Sequence, residues 1–420
     1  MDGESVLGGL TPIVRLALGL LAVCLSVPEA EGQDGGPAEG QGHTFVVGAQ
    51  STIIWDSNVF RVPDGVADPD RALGILGRSD RFTMTTFGLR VDKAYSEQEF
   101  LLDVSETAVR YDKFSLLDRN TPAYHAAWRW SISPRLTGVI GTDYSQNPIP
   151  FEDTAGNLQH NISTTSGKVL TVDGWIVGGL HLIGGVSGLK RSDTFVFQGL
   201  PSIDQTTLEL GVKYVAPSQS SVTASRRVTH GTNVGQPVDN SVLFIDSEYT
   251  MKEFELRGTW IATGKSTVNA RVTLIERHNP DVPQRDFSGT SSELTYVWRP
   301  TGKVTVNGTA NRTVVPFALD TATTFRVDNT LLAEPVWQVS DKLRLSVRMA
   351  RLASSYLQPV IPIAAPSRRD VTDTLLISAS WMPLRQVTVS AVLRRDSRSS
   401  NTSAFQFNDT LASINASVAF

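Results

Sequence analysis

Apolar and polar residues alternate with a period of two through most of the chain beyond residue 43. Leu343, Leu345, Val347 and Met349 interleave with Lys342, Arg344, Ser346 and Arg348. Val268, Ala270, Val272 and Leu274 interleave with Thr267, Asn269, Arg271 and Thr273, and Leu208, Leu210, Val212 and Tyr214 with Thr207, Glu209, Gly211 and Lys213. Leu294, Tyr296 and Trp298 continue the pattern. Side chains along a strand point alternately to opposite faces, so each segment is predicted to be a strand with one apolar and one polar side.

The connections come in two kinds. Tight ones are predicted at SEQE (96–99), SPR (133–135), VGG (177–179), APSQS (216–220), ATGKS (262–266), RPTGK (299–303), VSDK (339–342) and PLRQ (383–386). Looser polar segments lie between them, among them 62–80, 146–160 and 359–370. Short and long connections alternate, and they delimit about eighteen strands, with sixteen as the lower count. Tight turns recur about every 40 residues, a period shared with propeller blades, but a blade packs four short strands into that span and this chain places two long ones there.

Aromatic residues sharpen the reading. Trp128 and Trp130 precede the SPR turn, and Trp175, Trp260, Trp298, Trp337 and Trp381 precede VGG, ATGKS, RPTGK, VSDK and PLRQ. Only Trp55 stands apart. The stretch YVWRPTGKVTV (296–306) shows the arrangement in miniature. In a soluble sandwich such rings belong mid-strand, where burial is deepest. An indole, with an apolar body and one N–H donor, rests best where hydrocarbon meets headgroups. Strands that cross a bilayer and turn back at once place their aromatics beside the turns, and backbone groups in hydrocarbon stay paired only if the sheet closes. The expected fold is all-β, a transmembrane up-and-down antiparallel barrel spanning 44–420. The last strand, LASINASVAF, alternates to a terminal Phe420, similar to the signal that the outer-membrane barrel assembly machinery reads on its substrates.

The N-terminus specifies a route to that membrane. Leu16–Val27 is an apolar run behind Arg15, followed by small residues at Ala30 and Gly32. It has the length of a signal-peptide core and falls short of the roughly 20 apolar residues of a spanning helix. We expect a signal peptide over 1–32, a polar linker over 33–43, Sec-type export and an outer-membrane destination. Cys24, the single cysteine, then leaves with the signal.

The chain has 420 residues, 40% hydrophobic and 19% charged, with a net charge of −4. No dominant basic field is present to collect nucleic acid. The polar strand faces, expected to line a hydrated lumen, carry Glu209, Lys213, Glu253, Glu255, Arg257, Arg271, Arg277, Arg326, Asp328, Lys342, Arg344, Arg348 and Arg394. Mixed charge with Thr, Ser and Asn suits passage of a hydroxyl-rich or weakly acidic polymer; it equally suits lumen residues that pair with one another. Catalytic signatures are absent: no G-x-S-x-G, no G-x-x-x-x-G-K-[ST] and no H-E-x-x-H. The six histidines have no metal-ligand spacing, and nothing in the sequence brings Asp112, Asp286 and Glu293 together as paired carboxylates. No enzyme activity, cofactor or metal is expected. A barrel-embedded hydrolase would need a Ser-His-acid set in which His125 or His181 is the first candidate.

Several strings carry a family resemblance: WDSNVFRV (55–62), VRYDKF (109–114), RDFSGTSSELTYVWRPTGK (285–303), WQVSDKL (337–343) and SWMP (380–383). Together they resemble the EpsL-type outer-membrane barrels found with exopolysaccharide-biosynthesis and exosortase systems. They are also similar to a broader group of β-barrel porins in which a D-x-N-V-F-R-like string opens the mature domain. The resemblance implies export of an extracellular polysaccharide beside periplasmic export components. It singles out Asp56, Asn58 and Arg61, whose simpler role is a hydrogen-bonded bend ending the first strand. A general diffusion porin is the nearest rival, and segment 62–80 is long enough to fold inward as its constricting loop.

Overall fold

A computed structural model describes residues 44–64, 77–149, 151–153, 161–194, 202–237, 244–316, 323–357 and 367–420. The expected signal peptide and linker lie outside these residues, as does most of segment 62–80. The described chain forms eighteen strands: β1 (Thr44–Asp56), β2 (Asp80–Tyr95), β3 (Gln98–Tyr111), β4 (Arg119–Ser133), β5 (Leu136–Pro148) and β6 (Ile162–Val177). Next come β7 (Leu180–Asp193), β8 (Ser202–Val215), β9 (Ser221–Pro237), β10 (Phe244–Thr263), β11 (Ser266–His278) and β12 (Phe287–Thr301). The last six are β13 (Val304–Pro316), β14 (Phe325–Ser340), β15 (Leu343–Leu357), β16 (Arg369–Leu384), β17 (Val387–Ser400) and β18 (Phe407–Ala419). Short 3-10 turns at Ser115–Leu117, Phe151–Asp153, Pro283–Arg285 and Ser403–Phe405 all fall in the long connections.

Every strand pairs antiparallel with its sequence neighbours, and β1 closes the ring by pairing with β18 as well as β2. The seam is tied at its end by reciprocal bonds, Val47 N–H to Phe420 O and Phe420 N–H to Val47 O, each 3.0 Å. Following paired residues once round the wall, from Gly48 through Gly88, Ser105 and Ala123 onward, returns to β1 about 22 residues further along. With eighteen strands, that shear tilts them by ~40° and sets a backbone diameter of ~36 Å.

Alternation sorts the side chains to two faces. Phe254, Leu256 and Trp260 of β10, Val272 and Leu274 of β11, and Leu294, Tyr296 and Trp298 of β12 are exposed on the outside. Glu253, Glu255, Thr273 and Arg277, on the opposite parity, are buried inside. Among the described residues, no helix is long and apolar enough to cross a membrane; the apolar surface is carried by strands.

The turns explain the tryptophans. All eight tight connections fall between the expected strands, and seven of them leave two residues between strand ends, for example Gly264 and Lys265 or Asp341 and Lys342. At Gly178 the backbone takes φ +56°, a conformation glycine adopts without strain. Trp128, Trp130, Trp260, Trp298, Trp337 and Trp381 face outward, within a band of about 7 Å along the barrel axis when strand rise and tilt are applied. The Trp128 indole N–H donates to Gln98 Oε1 (2.9 Å), while its ring stacks on Phe100. Gly138 lies beneath Trp130: a Cβ there would stand 2.3 Å from the ring and 2.1 Å from Thr171 O. Trp175 departs from this ring. It pairs with His181, on the inward parity of β6 and β7, donates to Gly178 O (2.6 Å), and stacks under Arg135.

The inner face is not polar throughout. Near the long-connection end of β1–β3, Ile54, Phe82, Met84 and Val109 form a buried cluster extended by Tyr111 and Leu411. A second cluster joins Tyr249, Met251, Ile275 and Phe287 of the inward parity with Val314 and Val327, which have the outward parity of their strands. Beyond Ser292 and Arg312 the pairing of β12 with β13 stops, and Val314 meets this second cluster there.

Candidate functional site: the charged inner wall and its long-connection mouth

Apart from Lys342, the expected lumen residues lie on strand positions opposite in parity to the exposed apolar side chains, and most of them are paired. Arg271 Nη2 meets Glu293 Oε2 at 2.7 Å, directly across the β11–β12 register. Arg348 meets Glu334 at 3.0 Å, and Arg344 Nε donates to Gln338 Oε1 (3.1 Å). Arg394 pairs with Asp396 at 2.8 Å. Arg326 pairs with Asp328 at 2.9 Å, and the fully buried Asp328 also accepts from Ser354 Oγ (2.6 Å). Arg277 lies 3.7 Å above the centre of the Tyr249 ring and donates to Asn233 and Asn279. Lys213 stands 3.8 Å from Asp173, which is also 2.6 Å from His181 Nδ1. Lys342 lies in the β14–β15 turn, where its Nζ donates to Pro383 O (3.1 Å).

A deeply buried set centres on Arg227, a residue the sequence did not single out. Its Nη2 lies 2.8 Å from Glu255 and its Nε 3.3 Å from Glu253, with all three side chains at most 7% exposed. Thr273 Oγ1 donates to Glu255 (3.3 Å), Arg257 approaches Glu255 at 4.0 Å, and Glu209 faces Arg227 across the β8–β9 register. Two adjacent arginines in SRRVTH (225–230) conceal this role. Arg226 takes the outer face and Arg227 the inner, and only the register with β10 shows that Arg227 meets two glutamates.

At the long-connection end of the barrel the string WDSNVFRV folds as one unit. Asp56 Oδ1 accepts from Asn58 N–H (2.8 Å), Asn58 Nδ2 donates to Val62 O (2.9 Å) and Asn408 O (3.1 Å), and Val62 N–H donates to Asn58 Oδ1 (3.0 Å). Arg61, at φ 53°, donates to both Asp56 oxygens and meets Asp409 at 3.1 Å. Burial alone would lower the Arg61 pKa; Asp56 and Asp409 outweigh it, so the guanidinium is held more firmly protonated than usual. The bend turns Val59, Phe60 and Val62 into a buried cluster with Phe114 and Leu117. Phe60 packs 4.9 Å from Phe114 and 5.1 Å from Phe151, between ring centres. Asp80 supports the far side, accepting from the N–H groups of Lys113 (3.1 Å) and Phe114 (3.0 Å). Asp56, Asn58 and Arg61 therefore build a latch that holds residues 57–62 against Phe114 and Leu117, in a cluster that shares Tyr111 with the apolar inner patch of β1–β3.

The carboxylates considered for cleavage chemistry are kept apart. Asp112 pairs with Arg81 (2.7 Å), Glu293 with Arg271, and Asp286 with His278 (2.7 Å) in the β11–β12 connection. Burial tends to raise the Asp286 pKa, but the Asn279 N–H and the His278 and Asn279 side chains prevail and hold it below the usual carboxylate range. His125 faces Asp103 and Asp143 across its two registers. Among the described residues no group of three His, Cys, Asp or Glu side chains is placed to hold a metal ion.

The barrel resembles solved structures at low sequence identity. OccK9 (OpdG) of Pseudomonas aeruginosa matches with a TM-score of 0.50 and 10% identity, over 90% of this chain and 98% of that one. The outer membrane protein OpdK of P. aeruginosa gives 0.48 and 11%, over 90% and 98%. The ferric enterobactin receptor PfeA of the same organism gives 0.48 and 8%, over 89% and 80%. No protein-family model matches the chain, and no curated protein matches its sequence. At such identities the likeness is one of fold.

Proposed function

We propose that the protein is an outer-membrane barrel providing a passive, hydrated passage for polar solutes. One observation carries the reading: a single closed wall has an outer face that only hydrocarbon covers at low cost and an inner face lined with paired charges and hydroxyls. Direction would come from gradients or periplasmic partners, since the described wall holds no assembled catalytic set.

For the cargo, we favour an extracellular polysaccharide leaving the cell. The strings that resemble EpsL-type barrels support it, as does an inner wall whose arginines and hydroxyls suit sugar hydroxyls and occasional carboxylates. A small-solute diffusion porin is the second reading, supported by the mouth, where the latch turns Phe60 against Phe114 and Phe151. Deleting the gene and measuring secreted polymer beside uptake of small polar solutes separates the two. Loss of polymer with normal uptake is expected; unchanged polymer with impaired uptake selects the porin.

A further inference from the structure

We propose that the outer wall carries, just above its apolar belt on the long-connection side, a collar of basic side chains that binds the phosphate-bearing headgroups of lipids facing the cell exterior. The proposal rests on the reading that the barrel crosses a bilayer. Its members are Arg110, Lys190, Lys252, Arg312, Arg351 and Arg395, all exposed and all on the outward parity of their strands. Four of them stand two residues beyond an outward apolar or small neighbour: Lys252 beyond Phe254, Arg312 beyond Ala310, Arg351 beyond Met349, and Arg395 beyond Leu393. With strand tilt and rise applied, the six fall within a band of about 5 Å, about 20 Å above the outward tryptophans. They sit on six different strands, so the band runs round the cylinder. The opposite rim is aromatic instead.

The collar keeps a positive surplus. Lys190 has Asp204 at 3.8 Å, Arg351 has Asp373 at 3.7 Å, and Lys252 faces Glu276 across the register. The other three meet neutral partners. Arg110 donates to Asn120 Oδ1 (2.7 Å) and to two carbonyls, Arg312 to Asn329 Oδ1 (3.3 Å), and Arg395 lies between Leu375 and Thr410. Lys168 and Arg226 start lower on the outer face, among apolar side chains, and reach headgroup level only by extending along the wall. A guanidinium fork matches two phosphate oxygens, and a cation beside an anionic lipid surface gains where the same cation in a neutral leaflet does not.

The test uses the full chain in detergent, titrated with lipopolysaccharide and with the same lipid after chemical dephosphorylation, with bound lipid read by native mass spectrometry. Binding on the order of ten-fold weaker to the dephosphorylated form is expected. The triple substitution Arg312→Gln, Arg351→Gln, Arg395→Gln should bind both forms equally weakly, while the corresponding triple Lys variant keeps the preference. Equal binding of both lipids by the wild type, or an unchanged preference in the Gln variant, overturns the collar. Insertion into neutral phosphatidylcholine vesicles is followed in parallel: a barrel that inserts without phosphate preference loses only the collar, and one that does not insert loses the membrane reading itself.

Discussion

Arg227 shows what a single inner-wall residue is worth. Taking three charges out of water is costly, and the Arg227–Glu253–Glu255 set offsets that cost only while complete. Arg227→Ala leaves two buried glutamates without their cation, and a loss of about 3–5 kcal/mol is expected in urea unfolding of the reconstituted barrel. Asn58→Ala removes three latch bonds; a cost of about 1–3 kcal/mol and faster protease cleavage near residues 59–62 are expected. Asp286 adds a pH dependence. Its folded pKa lies below the unfolded value, so its contribution is present above the ordinary carboxylate range and fades as pH falls through the depressed folded value. Protection of the Asn279 amide, which donates to Asp286, measured against its intrinsic exchange rate at each pH, should fall over that acidic window and hold at neutral pH. Which residues face inward was legible, because strand parity fixes it. Which of them meet was not, because register across eighteen strands has no local signature: Glu255 was foreseen on the inner face, its partner Arg227 was not.

At the scale of elements, period-two alternation and turn chemistry located the strands because each hairpin is a local object. The expected tight turns lie where the chain reverses, from SEQE to PLRQ. Two features escaped. The inner apolar clusters break the rule that the inward face is polar: Ile54, Phe82, Met84 and Val109 pack together there and share Tyr111 with the Phe60 cluster, a dry patch that strand pattern alone does not announce. Trp175 was grouped with the turn-side ring by its position before VGG, yet inward parity places it under Arg135. Gly138 tests the wall directly. Gly138→Val puts a side chain where Thr171 O stands 2.1 Å from the first added carbon, and failure to close is expected, seen as loss of the compact unheated gel band.

The whole molecule follows from closure. A ring of eighteen strands with β1 sealed to β18 leaves no free edge, so its outer face can sit in hydrocarbon with the backbone of the wall paired. Unheated samples in detergent are expected to migrate faster than boiled ones, as a cylinder that resists the detergent must. The most direct measurement is tryptophan quenching in vesicles whose lipids carry bromine at graded depths. Strong quenching that peaks near the headgroup–hydrocarbon boundary is expected from Trp128, Trp260, Trp298, Trp337 and Trp381 at one level of the wall. Rings that no lipid bromine reaches, in a protein that stays dissolved without detergent, would contradict the account.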